Sequence, residues 1–208
     1  MRKVCLTMIF DDYDDIKDPN VMSDGWDYFV ITDKLQGSLV WEDVIYKDEG
    51  DPKMKMEHVL TKPWDFIDFD VCAIIGGQIE LGMDLNKVVM THDMSVPKHP
   101  TRDCVYQEAN ACIMLGKDDT DVINEQMDRY EADGYPEGNG MVQTGITFRK
   151  YTEAVVELGD MWWNQVNIGS KRDQLSFNYC CHKLGFEYQE LPAELLGSEL
   201  LRIHKHNK

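Results

Sequence analysis

The run Val71-Cys72-Ala73-Ile74-Ile75 restricts the fold more than any other part of the chain. Its five consecutive apolar residues show no polar alternation, so neither face of the segment suits water. They predict the central strand of a sheet covered on both sides. Lys3–Phe10, Tyr28–Ile31 and Val88–Thr91 are further apolar runs between polar connectors, and predict neighbouring strands. Asp48–Lys62, with Asp51-Pro52 and several lysines, reads as an exposed connection or a short helix. Helical spacing then takes over. Asp103–Leu115 places Val105, Ala109 and Cys112 on one face, and Asp119–Asp133 places Val122, Ile123, Gln126, Met127 and Tyr130 on another before Gly134 and Pro136. Met141–Phe148 reads as a later strand, and residues 170–184 as a helix with Phe177, Cys180, Cys181 and Leu184 at helical spacing and Gly185 as its stop. The pattern predicts a single α/β domain with a mostly parallel, Rossmann-like central sheet flanked by helices. Ligands of such sheets gather at the carboxyl ends of the strands.

A chain of 208 residues is long enough to bury a substantial core. Its formal charge of −17 argues against nucleic acid as a partner and against anionic membrane surfaces. A phosphate-bearing ligand then needs a local cluster of cations or a bound metal. Cys5, Cys72, Cys104, Cys112, Cys180 and Cys181 form no C-x-x-C pair, and most lie in apolar runs or on helical faces. The apolar segment from Val4 to Phe10 is short and leads straight into acids, unlike a signal peptide. Buried reduced thiols in a cytoplasmic protein are the expectation. No apolar run approaches the ~20 residues of a membrane span.

Chemistry-bearing residues concentrate in a few places. Trp162-Trp163 lead to Ser170-Lys171-Arg172-Asp173-Gln174, one turn before Phe177. A carboxylate, a carboxamide and two cations at the mouth of a helix suit a polar, anionic substrate. The same residues also fit a capping box between Ser170 and Asp173, with the tryptophans as plain core. His99 and Arg102 precede a helix whose amino-terminal amides suit phosphate, with Glu108 in its second turn. The alternative there is Thr101 as a cap and Arg102 on the surface. The first strand runs into Asp11-Asp12-Tyr13-Asp14-Asp15, whose Asp12-x-Asp14 is similar to the haloacid dehalogenase phosphatases, but Asp15-Ile16 replaces the Gly-Thr expected next, and a solvated acidic loop is the stronger reading. Thr32-Asp33 closes the second strand, where an Asp commonly receives a ligand hydroxyl or base edge. None of the six histidines has H-x-x-x-H or H-E-x-x-H spacing, and His204 and His206 lie in the tail.

Taken together, these blocks resemble a glycosyltransferase-like family of plants and microbes long described as a domain of unknown function, itself similar to GT-A glycosyltransferases encoded by algal viruses. Val71 to Leu81 is similar to that family's apolar strand ending in Asp-Gly-Asn-Ile, and His99 to Glu108 to its His-Pro-x-Arg-x-Cys-x-Tyr-x-Glu block. Gly134-Tyr135-Pro136, Met141 to Arg149 and Trp162 to Phe177 match the remainder. The resemblance implies a GT-A fold, with residues 1–98 as a nucleotide-binding half and 99–208 as an acceptor and catalytic half, alone or as one module of a longer protein. It implies a UDP-sugar donor, a glycan or glycoprotein acceptor, and a divalent metal, Mn or Mg, bridging the diphosphate. Transferred residue by residue, it implies catalytic roles for Arg172, Asp173 and Gln174, and donor-binding roles for Thr7, Asp33, Gly76, Gly77, His99 and Arg102. Gln78 and His204 are the implied metal ligands. One position departs from the pattern: Gly76 stands where the family has Asp, leaving Gln78 to offer a neutral oxygen to a hard cation. A nucleotide-sugar-binding module with little turnover is the alternative this raises.

Overall fold

The computed structural model describes residues 1–207. Nine strands and five α-helices follow in order: β1 (Lys3–Ile9), β2 (Trp26–Thr32), β3 (Glu42–Ile45), α1 (Pro52–Thr61), β4 (Val71–Gly76), β5 (Ile79–Leu81), β6 (Met94–Pro97), α2 (Val105–Met114), α3 (Thr120–Ala132), β7 (Ile146–Lys150), α4 (Glu153–Ile168), α5 (Gln174–Leu184), β8 (Gln189–Leu191) and β9 (Leu201–Ile203). Seven strands form one sheet in the order β3-β2-β1-β4-β7-β6-β8. Its pairings are parallel except those made by β7, which runs antiparallel to β4 and β6. The uninterrupted apolar run is β4, the fourth of the seven, as its composition demands. β5 and β9 make a separate antiparallel ribbon that carries the end of the chain back to the sheet.

Strand alternation divides the core. Leu6, Met8, Phe10, Cys72 and Ile74 face a cluster to which all five α-helices contribute, from Val59 on α1 to Phe177 on α5. Cys5, Ile9, Ala73 and Ile75 face the other side, which Trp26, Trp41 and the β5–β9 ribbon cover. Each fully buried Ile, Leu or Phe in these layers contributes roughly 1.5–3 kcal/mol. The helix between Thr152 and Gly169 is the α-helix that the sequence reading lacked, as it lacked the short strands β3, β5, β8 and β9. Thr152 Oγ1 accepts from Val155 N to cap it, and Val155, Leu158, Trp162 and Val166 repeat at helical spacing on its buried face. At Gly159 a side chain would run into the Thr61 carbonyl and the Trp64 ring, so glycine is what lets α4 lie close to α1.

Two expected strands are displaced. Val88–Thr91 is irregular, because Val88 N closes a 3-10 turn on Leu85 O and Val89 is exposed; the strand begins at Met94. Met141–Phe148 pairs as a strand only from Ile146, its first part being a loop bridged at Val142 to Lys98. All six cysteines are buried and free. No helix among the described residues is long and apolar enough to cross a membrane.

Candidate active site

A cavity of about 560 Å³ opens where β1 and β4 end, the place a parallel sheet reserves for ligands. Met8, Phe10 and Ile74 floor it with apolar surface, and Gly76-Gly77-Gln78 form one edge. The amino-terminal turns of α1 and α5 supply its polar walls through Lys53, Glu57, Arg172, Asp173 and Gln174. Lys117 and Asp118, from the α2–α3 connection, and Thr144 and Gly145, before β7, complete the rim. Gly77 packs against the end of β1 so closely that a Cβ would lie 2.8 Å from Met8 O and 3.1 Å from Asp14 Oδ2. The acidic loop after β1 is bent back by Asp11 and Asp12, both in left-handed backbone conformation at φ 54° and 53°. Asp tolerates that region better than most residues.

The entry to α5 is held from several sides, and capping is not what holds it. Ser170 Oγ donates to Asp118 Oδ2 at 2.7 Å and accepts from Arg172 N at 3.1 Å. Asp173 occupies the N-cap position in helical conformation, and its side chain makes no capping hydrogen bond. Its carbonyl accepts from Trp162 Nε1 at 2.9 Å, so the first tryptophan is core with a positioning task. The carboxylate is thereby left to the cavity, and Oδ2 is buried with no hydrogen-bond partner among the described residues. Gln174 is fixed by donating Nε2 to Val142 O at 2.9 Å, while its Oε1 accepts from Arg172 Nη2 at 3.3 Å. Trp163 instead stacks on His58, with ring centroids 4.9 Å apart.

Across the cavity wall from α5 stands Glu57, which the sequence reading did not single out. It is 2% exposed, pairs with Lys53 one turn earlier, and leaves Oε2 without a partner among the described residues. Burial, then the nearby Asp173, push its carboxyl up to about 8, outweighing Lys53 and Arg172. At Lys53 the burial that disfavours its charge is outweighed by Glu57 and Asp173, and its ammonium is held above the ordinary lysine range. The site thus combines two carboxyls, two cations and unsatisfied oxygens in a low-dielectric wall. Unsatisfied buried oxygens beside a carboxyl shifted by burial and a neighbouring charge, set in a cleft, identify a candidate functional site.

The chain's tail closes the opposite side. His204 N donates to Gln78 O at 2.9 Å, so β9 brings the implied metal pair together through its backbone. The side chains part company there. His204 Nε2 lies 2.6 Å from Glu80 Oε2, and the Gln78 carboxamide folds over Gly76, where a Cβ would meet Oε1 at 2.5 Å. The tail histidine that reaches the cavity is His206, with Nδ1 2.9 Å from Asp14 Oδ1 and its ring 4.5 Å from that of Tyr13. Burial raises the Asp14 carboxyl above its ordinary range, against the lowering effect of His206. No group of three or more His, Cys, Asp or Glu side chains among the described residues can hold a metal ion. One carboxylate, one imidazole and one neutral carboxamide are a poor set for a hard cation, so these residues do not fit a protein-held metal.

The model of the TOD1/MUCI70 glycosyltransferase-like domain matches residues 82–197, more than half of the chain. The chain belongs to this family. No curated protein matches it. The TOD1/MUCI70 match takes in Lys117, Asp118, Thr144, Gly145 and the Arg172-Asp173-Gln174 wall of the cavity. Glu57, the Gly76–Gln78 edge, Asp14 and His206 lie outside the matched TOD1/MUCI70 segment.

Several residues implied by the resemblance stand apart from the cavity lining. Thr7 is buried within β1, where alternation turns it away from the face of Met8 and Phe10. Asp33 is exposed and accepts from Asp11 N at 2.9 Å, bracing the loop rather than lining the cavity. His99 and Arg102, inside the TOD1/MUCI70 match, fold inward onto α2. His99 Nδ1 accepts from Thr101 N and Arg102 N, and Arg102 Nε ion-pairs with Glu108. Burial, then Arg102, keep the imidazole below its ordinary range. Asp12, half of the phosphatase-like motif, is exposed and paired with Lys34, so it shares no site with Asp14.

Proposed function

We propose that the protein transfers a sugar from a UDP-type nucleotide-sugar to a hydroxyl acceptor such as a glycan or glycoprotein, and that the cavity at the ends of β1 and β4 is where it does so. The observation that carries this reading is the buried Asp173, held by Trp162 at its backbone, free of any capping role, and facing the cavity within the family-matched segment. In the reaction the acceptor oxygen attacks the anomeric carbon as the bond to the diphosphate breaks. The nucleotide departs with the bonding electrons. For an inverting outcome Asp173 takes the proton of the acceptor hydroxyl; otherwise it orients that hydroxyl while an oxygen of the departing diphosphate takes the proton. Arg172 and Lys53, with Lys171 and Lys117 at the rim, oppose the charge that builds on the departing diphosphate. Gly77 lets the Gly76–Gln78 edge of the cavity pack directly against the end of β1.

Binding without turnover is the second reading, and Gly76-Gly77-Gln78 favours it, because that edge brings no carboxylate to a metal-bridged diphosphate. Hydrolysis of UDP-sugars with and without Mn²⁺ separates the two. Binding itself is tested by thermal unfolding with UDP, UDP-glucose and related donors against inorganic phosphate. A donor at 100 times its dissociation constant adds ~2.7 kcal/mol of stability. Unfolding unmoved by every nucleotide would overturn both readings.

A further inference from the structure

Glu57 carries an inference beyond the assignment of the site. It lies on α1, outside the family-matched segment, at a wall of the cavity. Lys53 engages one of its oxygens; Oε2 is buried and unanswered among the described residues, as is Asp173 Oδ2 on α5. Leaving two carboxyl oxygens dry and unpaired is costly unless a bound group completes them. A ligand hydroxyl is suited to that task, because it donates one hydrogen bond and accepts another.

We propose that Glu57 is a specificity-determining residue for the transferred sugar: as a neutral carboxylic acid it donates from Oε2 to a sugar hydroxyl, whose own proton is accepted by Asp173 Oδ2. The inference rests on the glycosyltransferase reading. The charges around Glu57 support it. Lys53 on its own helix, and Arg172 and Asp173 at the entry to α5, are the groups that act on its carboxyl, and together with burial they hold its pKa at about 8. β1 brings only Met8 to the cavity, which does not titrate, and the loop after it brings Phe10, Asp11, Tyr13 and Asp14. On α4, Asp160 is engaged by Lys62, at the far end of α1. Below that pKa Glu57 carries the proton it donates. Above it, two carboxylates face one hydroxyl with a single donor between them, and sugar recognition is lost.

The test is calorimetric titration of UDP, UDP-glucose, UDP-galactose, UDP-xylose and UDP-N-acetylglucosamine into the wild type, Glu57→Gln and Glu57→Met. The readout is the ratio of sugar-nucleotide to UDP affinity. In the wild type that ratio falls as pH rises through about 8, approaching tenfold per pH unit. Glu57→Gln, a permanently neutral donor of the same shape, keeps the wild-type ratio at neutral pH within about threefold and removes the pH dependence. Glu57→Met lowers the ratio about tenfold at neutral pH. A Glu57→Met variant with the wild-type ratio, or a wild type and Glu57→Gln with the same pH profile, overturns the role of Glu57 alone. If the wild type binds neither UDP nor any of the sugar-nucleotides, the glycosyltransferase reading falls and takes this role with it.

Discussion

The protein places an arginine and a carboxylate near the start of two neighbouring helices, and the two pairs are built to opposite ends. At α2, Arg102 is answered by Glu108, His99 by two backbone amides, and Glu108 Oε1 by the Cys112 thiol at 3.6 Å. At α5, Arg172 Nε, Asp173 Oδ2 and the facing Glu57 Oε2 are buried without partners among the described residues. Each such orphan costs about 1–3 kcal/mol. The first cluster answers its polar groups within the fold, and the second leaves them unanswered. The same residue types read alike in sequence, and only their partners tell them apart.

That contrast breaks if Asp173 proves structural. Asp173→Asn keeps the shape and removes the charge, and the account expects a transfer rate lower by ~10²- to 10⁴-fold with the melting temperature nearly unchanged. A variant that melts early yet transfers sugar normally would return Asp173 to the helix. The matching change at the other cluster has the opposite signature. Glu108→Gln leaves Arg102 and His99 without their carboxylate, and because Arg102 is partly exposed the stability loss is about 1–3 kcal/mol. Affinity for UDP-sugars should not move, and a loss of binding with intact stability would put the ligand at α2 instead. A smaller effect sharpens the role of the cavity edge. In Gly76→Asp the new Cβ meets only the end of the flexible Gln78 side chain, which can swing away. The added carboxylate joins an edge already close to Asp14, and Mn²⁺ affinity in the presence of UDP should rise on the order of tenfold. Equal affinities in the two proteins would show that this edge is no metal site in either.

How much of this was legible in the sequence depended on the range of the signal. β4 declared itself because five apolar residues in a row have few other places to go, and α3 because Asp119 and Gly134 bracket a periodic face. The Arg172-Asp173-Gln174 wall was legible as a polar block ahead of an apolar helix. Its alternative, the capping box, was excluded only by geometry: Ser170 turns to Asp118, which lies 52 residues away in sequence. The periodicity of α4 was present but masked by the acids between Val155 and Trp162. Glu57 sits among lysines in a segment that reads as an exposed connection. Nothing local marks it as buried, because the fold alone brings α1 beside the entry to α5. The partners of His99 and Arg102 were hidden for the same reason. Cations before a helix suit phosphate until Glu108, one turn inside, is seen to claim them. His204 and His206 differ by two residues, and the ribbon of β5 and β9 decides which one meets the cavity.

Crystals soaked with a UDP-sugar test the central claim most directly, by locating the ligand. The account predicts density in the cavity between the Gly76–Gln78 edge and the entry to α5, with a sugar hydroxyl within hydrogen-bonding distance of Asp173 Oδ2. Density over His99 and Arg102, with the cavity holding only water, would contradict it.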